Sequence, residues 1–220
     1  MQESYKTKLV LFDLDGTLID TAPDFLISLN NILTKYNKEN VTADGIRGYI
    51  SEGSSKLIEF AFNINESHRN FEEFKNEFLS EYKNNLKTKS KIFDGIEKLL
   101  NHLDKNQIMY GIVTNKYFEY ADPLVKSFTE LKNIKIMVCP DHVSISKPDP
   151  EGILLACKRL NVSPEKTIFL GDHLNDLKAG ISAGTTTIAC LYGYSLQKDG
   201  KDLLNCDSVD RAHDIVSKIS

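Results

Sequence analysis

The feature that most restricts the fold is a series of short, unbroken apolar runs separated by stretches of helical periodicity. Leu9 to Leu14, Ile108 to Thr114, Ile134 to Cys139, Thr167 to Leu170 and Thr186 to Tyr192 are too short and too continuous for amphipathic helices. Runs of this kind suit strands buried on both faces. Between them, Asp94 to Asp104, Tyr117 to Phe128, Pro150 to Leu160 and Asn175 to Ala183 carry helical patterns. Strand and helix in alternation predict an α/β fold with a parallel sheet.

The alternation is interrupted once, because far more chain than a crossover needs separates the first strand from the helix before the second. That interval is charged and helix-patterned over Pro23 to Tyr36, Gly53 to Phe62 and Phe71 to Leu86. Phe71, Phe74, Phe78 and Tyr82 recur at helical spacing, as the core of a small helical body would. The expected organisation is a core of residues 1–18 and 88–220 carrying an α-helical insert at 19–87. A chain of 220 residues with 41% hydrophobic content is large enough for both.

Charge and cysteine usage narrow the function. A net charge of -4 gives no reason to expect nucleic acid or an anionic membrane as partner, so a small ligand is the default. Cys139, Cys157, Cys190 and Cys206 are widely spaced and match no zinc or disulfide pattern. The segment Met1 to Lys6 lacks the apolar stretch of a signal peptide, and no later run approaches a membrane span. A cytoplasmic protein is expected.

Ligands of parallel α/β sheets bind beyond the carboxyl ends of the strands. The residues there form a chemical set: Asp13 and Asp15, Thr114 and Asn115, Gly171 and Asp172, with Asp176 close behind. Acids converging on one pocket repel each other unless a cation sits among them. Carboxylate oxygens, with His173 the one nearby imidazole, favour Mg²⁺ over Zn²⁺. Lys147, in Ser146-Lys147-Pro148-Asp149-Pro150 just before a helix, supplies positive charge, and Thr114 offers a hydroxyl where strand meets helix. Carboxylate, hydroxyl, lysine and metal are the parts of a phosphoryl-transfer site. No Ser-His-Asp or Cys-His pattern is present, so the nucleophile is sought among the carboxylates. Asp13 leads the strand terminus, and Asp15 is placed to serve as general acid and base.

At these residues the chain resembles the haloacid dehalogenase superfamily. Asp13-Leu14-Asp15-Gly16-Thr17, Val113-Thr114-Asn115, Lys147-Pro148 and Gly171-Asp172 with Asp176 match its dispersed motifs in order. The resemblance implies a Rossmann-like core, and for an insert at this position a helical cap. It implies Asp13 as nucleophile and metal ligand, and Asp15 as acid/base with its carbonyl on the metal. Thr114 and Lys147, with Asn115 beside them, would hold the phosphate, Asp172 would bind Mg²⁺ and Asp176 would support it. Dehalogenases of the superfamily lack the second aspartate, so phosphatase or mutase chemistry is implied.

A finer resemblance is to bacterial phosphoglycolate phosphatases, through Leu18-Ile19-Asp20-Thr21-Ala22-Pro23, Tyr49-Ile50-Ser51-Glu52-Gly53, Thr114-Asn115-Lys116 and Leu191-Tyr192-Gly193-Tyr194. It makes a small phosphorylated metabolite, 2-phosphoglycolate first, the expected substrate. Pyrophosphatases, nucleotidases and β-phosphoglucomutases share much of the pattern, and a catalytically idle phospholigand-binding module is the non-enzyme alternative. His173 after Asp172, and Cys139-Pro140 before Asp141, depart from the phosphoglycolate phosphatase pattern. In the insert, Arg47, Gly53 and Lys56 are the candidates for substrate selection.

Overall fold

A computed structural model describes residues 6–196 and 203–219; Met1 to Tyr5, part of the segment read above for a signal peptide, lie outside them. In chain order the elements are β1 Leu9–Phe12, β2 Ile19–Asp20, α1 Ala22–Lys35, α2 Ala43–Ile50, α3 Ser54–Phe62, α4 Phe71–Asn85 and β3 Lys91–Ile92. They continue with α5 Ile96–Lys105, β4 Met109–Val113, α6 Phe118–Lys126, β5 Met137–Val138 and α7 Glu151–Leu160. The last are β6 Thr167–Gly171, α8 Leu174–Ala183, β7 Thr186–Cys190 and β8 Asp207–Val209. Short 3₁₀ turns join several of them.

Two compact units result: the described residues up to Ile19 and from Ile92 onward form one, and Asp20–Lys91 form the other. The first is an α/β, Rossmann-like unit. Among the described residues six strands make one sheet in the order β5-β4-β1-β6-β7-β8, and every pairing in it is parallel. β2 and β3 pair in a separate two-stranded sheet. All four side chains of β1 are fully buried, as expected of a strand flanked by others and covered on both faces. Each contributes about 1.5–3 kcal/mol of burial energy. On one face Leu9, Leu11, Val113, Val138, Ile153, Ala156 and Phe169 form a continuous core.

The sheet differs from the sequence expectation at its edges. β5 is confined to Met137–Val138 rather than running from Ile134 to Cys139, and β8 was not foreseen. Of β8 only Val209 is buried, so the strand has no apolar run by which to be recognised.

The second unit is all helical apart from its strand ends. α1 and α4 pack through aromatic rings: Phe25 stacks on Tyr82 at 4.1 Å between centroids, and Tyr36 meets Phe74 edge-on at 4.7 Å. Phe71, Phe74, Phe78 and Tyr82 are all buried, which makes the aromatic stripe the core of this unit. Helix α2 is an addition to the sequence reading; Thr42 caps it by accepting from Gly45 N at 3.2 Å. Among the described residues no helix is long and apolar enough to cross a membrane.

Candidate active site

The sheet order places the site. From β1 the chain proceeds outward to β4 and β5, then returns to the other side of β1 for β6, β7 and β8, so the topology reverses at β1. Register does the rest: Phe12 lies opposite Ile112 on one side and Leu170 on the other. The residues just past these ends, Asp13, Thr114 and Asp172, therefore converge at the carboxyl edge of the sheet. Asp13 N donates to Leu170 O at 2.8 Å and Thr114 N to Val138 O at 3.0 Å, carrying the sheet pattern into the site.

Past Asp13 the backbone turns at Gly16, whose φ of +87° is a conformation L side chains rarely adopt. A Cβ there would also run into the Asp172 carboxylate. The turn brings Thr17 Oγ1 to 3.0 Å from Asp172 Oδ1, to which it donates.

Lys147 ties the acids together. Its ammonium donates to Asp13 Oδ1 at 2.7 Å and to Val113 O at 2.8 Å, and it pairs with Asp176 Oδ1 at 2.7 Å. Asn115 sets that lysine: its side chain donates to Lys147 O at 2.9 Å and accepts from Lys147 N at 3.1 Å. The side-chain amide of Asn115, a residue expected at the phosphate, is engaged with the Lys147 backbone. Thr114 Oγ1 accepts from Lys116 N at 3.1 Å. Asp176, in the first turn of α8, accepts from His173 N at 3.0 Å, and His173 Nδ1 accepts from Asn175 N at 3.1 Å. His173 thus caps α8.

The carboxylates of Asp13, Asp172 and Asp176 are all buried, and each offers an oxygen within 4.8 Å of the others. Asp15, whose backbone carbonyl was the atom expected on the metal, adds no carboxylate oxygen to this group; both its carboxylate oxygens take the Lys116 ammonium, at 3.1 and 3.0 Å. Lys116 was not among the expected site residues. The signal for it was its place in the strand-end turn two residues after Thr114. With Asp13, Asp15, Asp172 and Asp176 ionised against Lys116 and Lys147, two negative charges are left over. Burial accordingly pushes the Asp13 carboxyl up to about 6, with Lys147 opposing the rise and Asp176 adding to it. Asp172 is raised well above the usual carboxylate range by burial, then by Asp13 and Asp176. Burial opposes the charge on Lys147, yet Asp13 and Asp176 hold it above the usual lysine range. A surplus of two buried negative charges on oxygen donors fits one hard divalent cation held by Asp13, Asp172 and Asp176.

The remaining expected residues lie in the helical unit. Arg47, on α2, has Nη2 4.0 Å from Asp20 Oδ2. Gly53 immediately precedes α3, and Lys56 pairs with Glu59 one turn along it. All four cysteines are unbridged.

A family model described as haloacid dehalogenase-like hydrolase matches residues 10–190. The chain is 39% identical to the N-acetylmuramic acid 6-phosphate phosphatase of Pseudomonas putida over 204 residues, covering 93% of this chain and 92% of the relative. It is 33% identical over 193 residues to a phosphoglycolate phosphatase of Xanthomonas campestris pv. campestris, covering 87% and 86%. A crystal structure of a predicted phosphoglycolate phosphatase from Haemophilus somnus 129pt superposes with a TM-score of 0.86 at 25% identity, covering 97% of this chain and 98% of that one. Together with the converging motifs, these matches show that the chain belongs to the haloacid dehalogenase-like hydrolases and is a phosphatase of that family.

Proposed function

We propose that the protein hydrolyses a small phosphomonoester that also bears a carboxylate, through an aspartyl-phosphate on Asp13. The observation that carries the chemistry is the buried group of Asp13, Asp172 and Asp176 with Lys147 bridging Asp13 and Asp176. An Asp13 oxygen attacks phosphorus as the bond to the leaving oxygen breaks, and Asp15 gives that oxygen a proton. Water then attacks the acyl-phosphate while Asp15 takes back a proton, which frees phosphate and restores Asp13. Lys147 and the Thr114 hydroxyl hold phosphoryl oxygens through both steps, and Asn115 keeps Lys147 in place. Mg²⁺ is the ion assigned to the carboxylate group; when bound, it neutralises charge on the phosphoryl oxygens. Asp172 and Asp13 would hold it and Asp176 would support it.

The substrate reading rests on the relatives. N-acetylmuramic acid 6-phosphate and 2-phosphoglycolate share a phosphomonoester and a carboxylate, and they differ in size. The higher identity, 39% against 33%, puts the sugar phosphate first and 2-phosphoglycolate second. The helical unit is assigned the role of a cap, with Arg47, Gly53 and Lys56 selecting the group that carries the phosphate. A soluble metabolite as substrate fits a cytoplasmic enzyme.

The test is kcat/KM for phosphate release from N-acetylmuramic acid 6-phosphate, 2-phosphoglycolate, pyrophosphate, a nucleoside monophosphate and β-glucose 1-phosphate, with Asp13→Asn as control. Preference for either carboxylate-bearing ester supports the reading. Faster release from pyrophosphate or the nucleotide removes the substrate class. Wild-type rates in Asp13→Asn remove the mechanism.

A further inference from the structure

We infer that the turn Tyr192-Gly193-Tyr194, which follows β7, is a positioning element of the metal site: it holds Asp172 against the turn at Gly16 and Thr17. The inference rests on the reading of Asp172 as a metal ligand. Tyr192 Oη donates to Thr17 O at 3.0 Å, Thr17 Oγ1 donates to Asp172 Oδ1 at 3.0 Å, and Tyr194 N donates to Asp172 Oδ2 at 2.8 Å. The chain of contacts therefore runs from the turn to Thr17, on to Asp172, and back to the turn. Both oxygens of Asp172 are fixed by donors, and each keeps a lone pair for a cation.

Packing enforces the same arrangement. A Cβ on Gly193 would overlap both the Asp172 side chain and the Gly16 carbonyl oxygen, so the backbone of this turn lies directly against the site. Phe93 supports the turn from outside, its ring 5.1 Å from that of Tyr192 and 6.3 Å from that of Tyr194. The turn itself is closed by Gly193 N on Cys190 O, at 3.2 Å. A ligand whose carboxylate is held by outer contacts binds metal more tightly than one that must be ordered on binding, and losing such contacts costs about 10- to 100-fold in affinity.

Mg²⁺ titration calorimetry on chelator-treated wild type, Gly193→Ala, Tyr192→Phe and Asp172→Asn tests this, with circular dichroism to establish folding. The Mg²⁺ dissociation constant should rise by about 10- to 100-fold in Gly193→Ala and in the same direction, by less, in Tyr192→Phe. The Mg²⁺ concentration for half-maximal phosphate release should rise by the same factors, so that added Mg²⁺ recovers turnover that a loss of fold would not. Unchanged Mg²⁺ affinity in both folded turn variants, with binding lost in Asp172→Asn, overturns the inference alone. Wild-type binding in Asp172→Asn overturns the metal-site reading beneath it. Should Gly193→Ala fail to fold, Tyr192→Phe decides: unchanged affinity there refutes the role of the turn.

Discussion

The Lys147 ammonium donates to Asp13 Oδ1 at 2.7 Å, a contact between residues 134 positions apart and almost wholly removed from water. The proposed nucleophile is thereby paired with a lysine that also reaches Asp176. Lys147→Met should lower kcat by at least about 100-fold, the scale on which one preorganised positive group stabilises a phosphoryl transition state. It should also destabilise the metal-free protein by about 3–5 kcal/mol, because Asp13 and Asp176 would lose a buried partner. Steady-state kinetics and urea unfolding in chelator check the two effects. A variant with native turnover would show that Lys147 merely neutralises charge.

The raised carboxyls predict how pH, stability and metal interact. Burial pushes the Asp13 carboxyl up to about 6, against an ordinary 3.8, and raises that of Asp172 well above the ordinary range. Between those values the native state keeps protons that the unfolded state has released, so this contribution to stability is present at low pH and is lost as pH rises through 6. A divalent cation bound by these carboxylates would replace those protons, so stabilisation by added Mg²⁺ should grow over the same range. Thermal melts from pH 4.5 to 8 should show the Mg²⁺-induced rise in Tm increasing with pH, and Asp13→Asn should flatten the metal-free slope. A metal-induced shift that shrinks with pH would contradict the assignment.

Lys116 gives a third expectation. Its ammonium engages both oxygens of Asp15, and its side chain is 5% exposed, so Asp15 is held in one orientation. The proposed acid/base role of Asp15 depends on that orientation, and Lys116→Met should reduce kcat by at least about tenfold. The loss should be larger for an alkyl phosphate than for p-nitrophenyl phosphate, whose leaving group needs no proton. Equal losses on both substrates would argue that Lys116 acts elsewhere in the site.

The case of Lys116 also shows which parts of the molecule a sequence can disclose. Asp13, Thr114 and Asp172 were legible because each ends an apolar run, and a parallel sheet must bring such ends to one edge. Lys116 and Asp15 are 101 positions apart, and the turn at Tyr192 meets Thr17 across 175. Local patterns carry no information about such contacts. Asn115 was recognised as a strand-end residue, but which atoms its amide would meet depended on where Lys147 came to rest. α2 was missed because Ala43–Ile50 contains two glycines and buries only Ile46 and Ile50, too faint a helical stripe to read.

The helical unit yields the last prediction, through a residue with no place in the catalytic chemistry. Asp24, at the start of α1, is fully buried, and accepts from Lys89 N at 2.6 Å, from Ser90 N at 3.2 Å and from the Ser90 hydroxyl. One carboxylate thus joins the segments by which the chain enters and leaves this unit. Asp24→Ala would leave the buried Ser90 donors without an acceptor, at a cost of about 1–3 kcal/mol for each orphaned group. Asp24→Asn, which retains a single acceptor oxygen, should cost less. Because the contacts are confined to the unit's ends, the loss should appear as faster amide exchange at Ser90 and along α1, with exchange in β1 and β6 little changed. Wild-type protection at Ser90 in Asp24→Ala would show that the two ends are held by packing of the aromatic core instead.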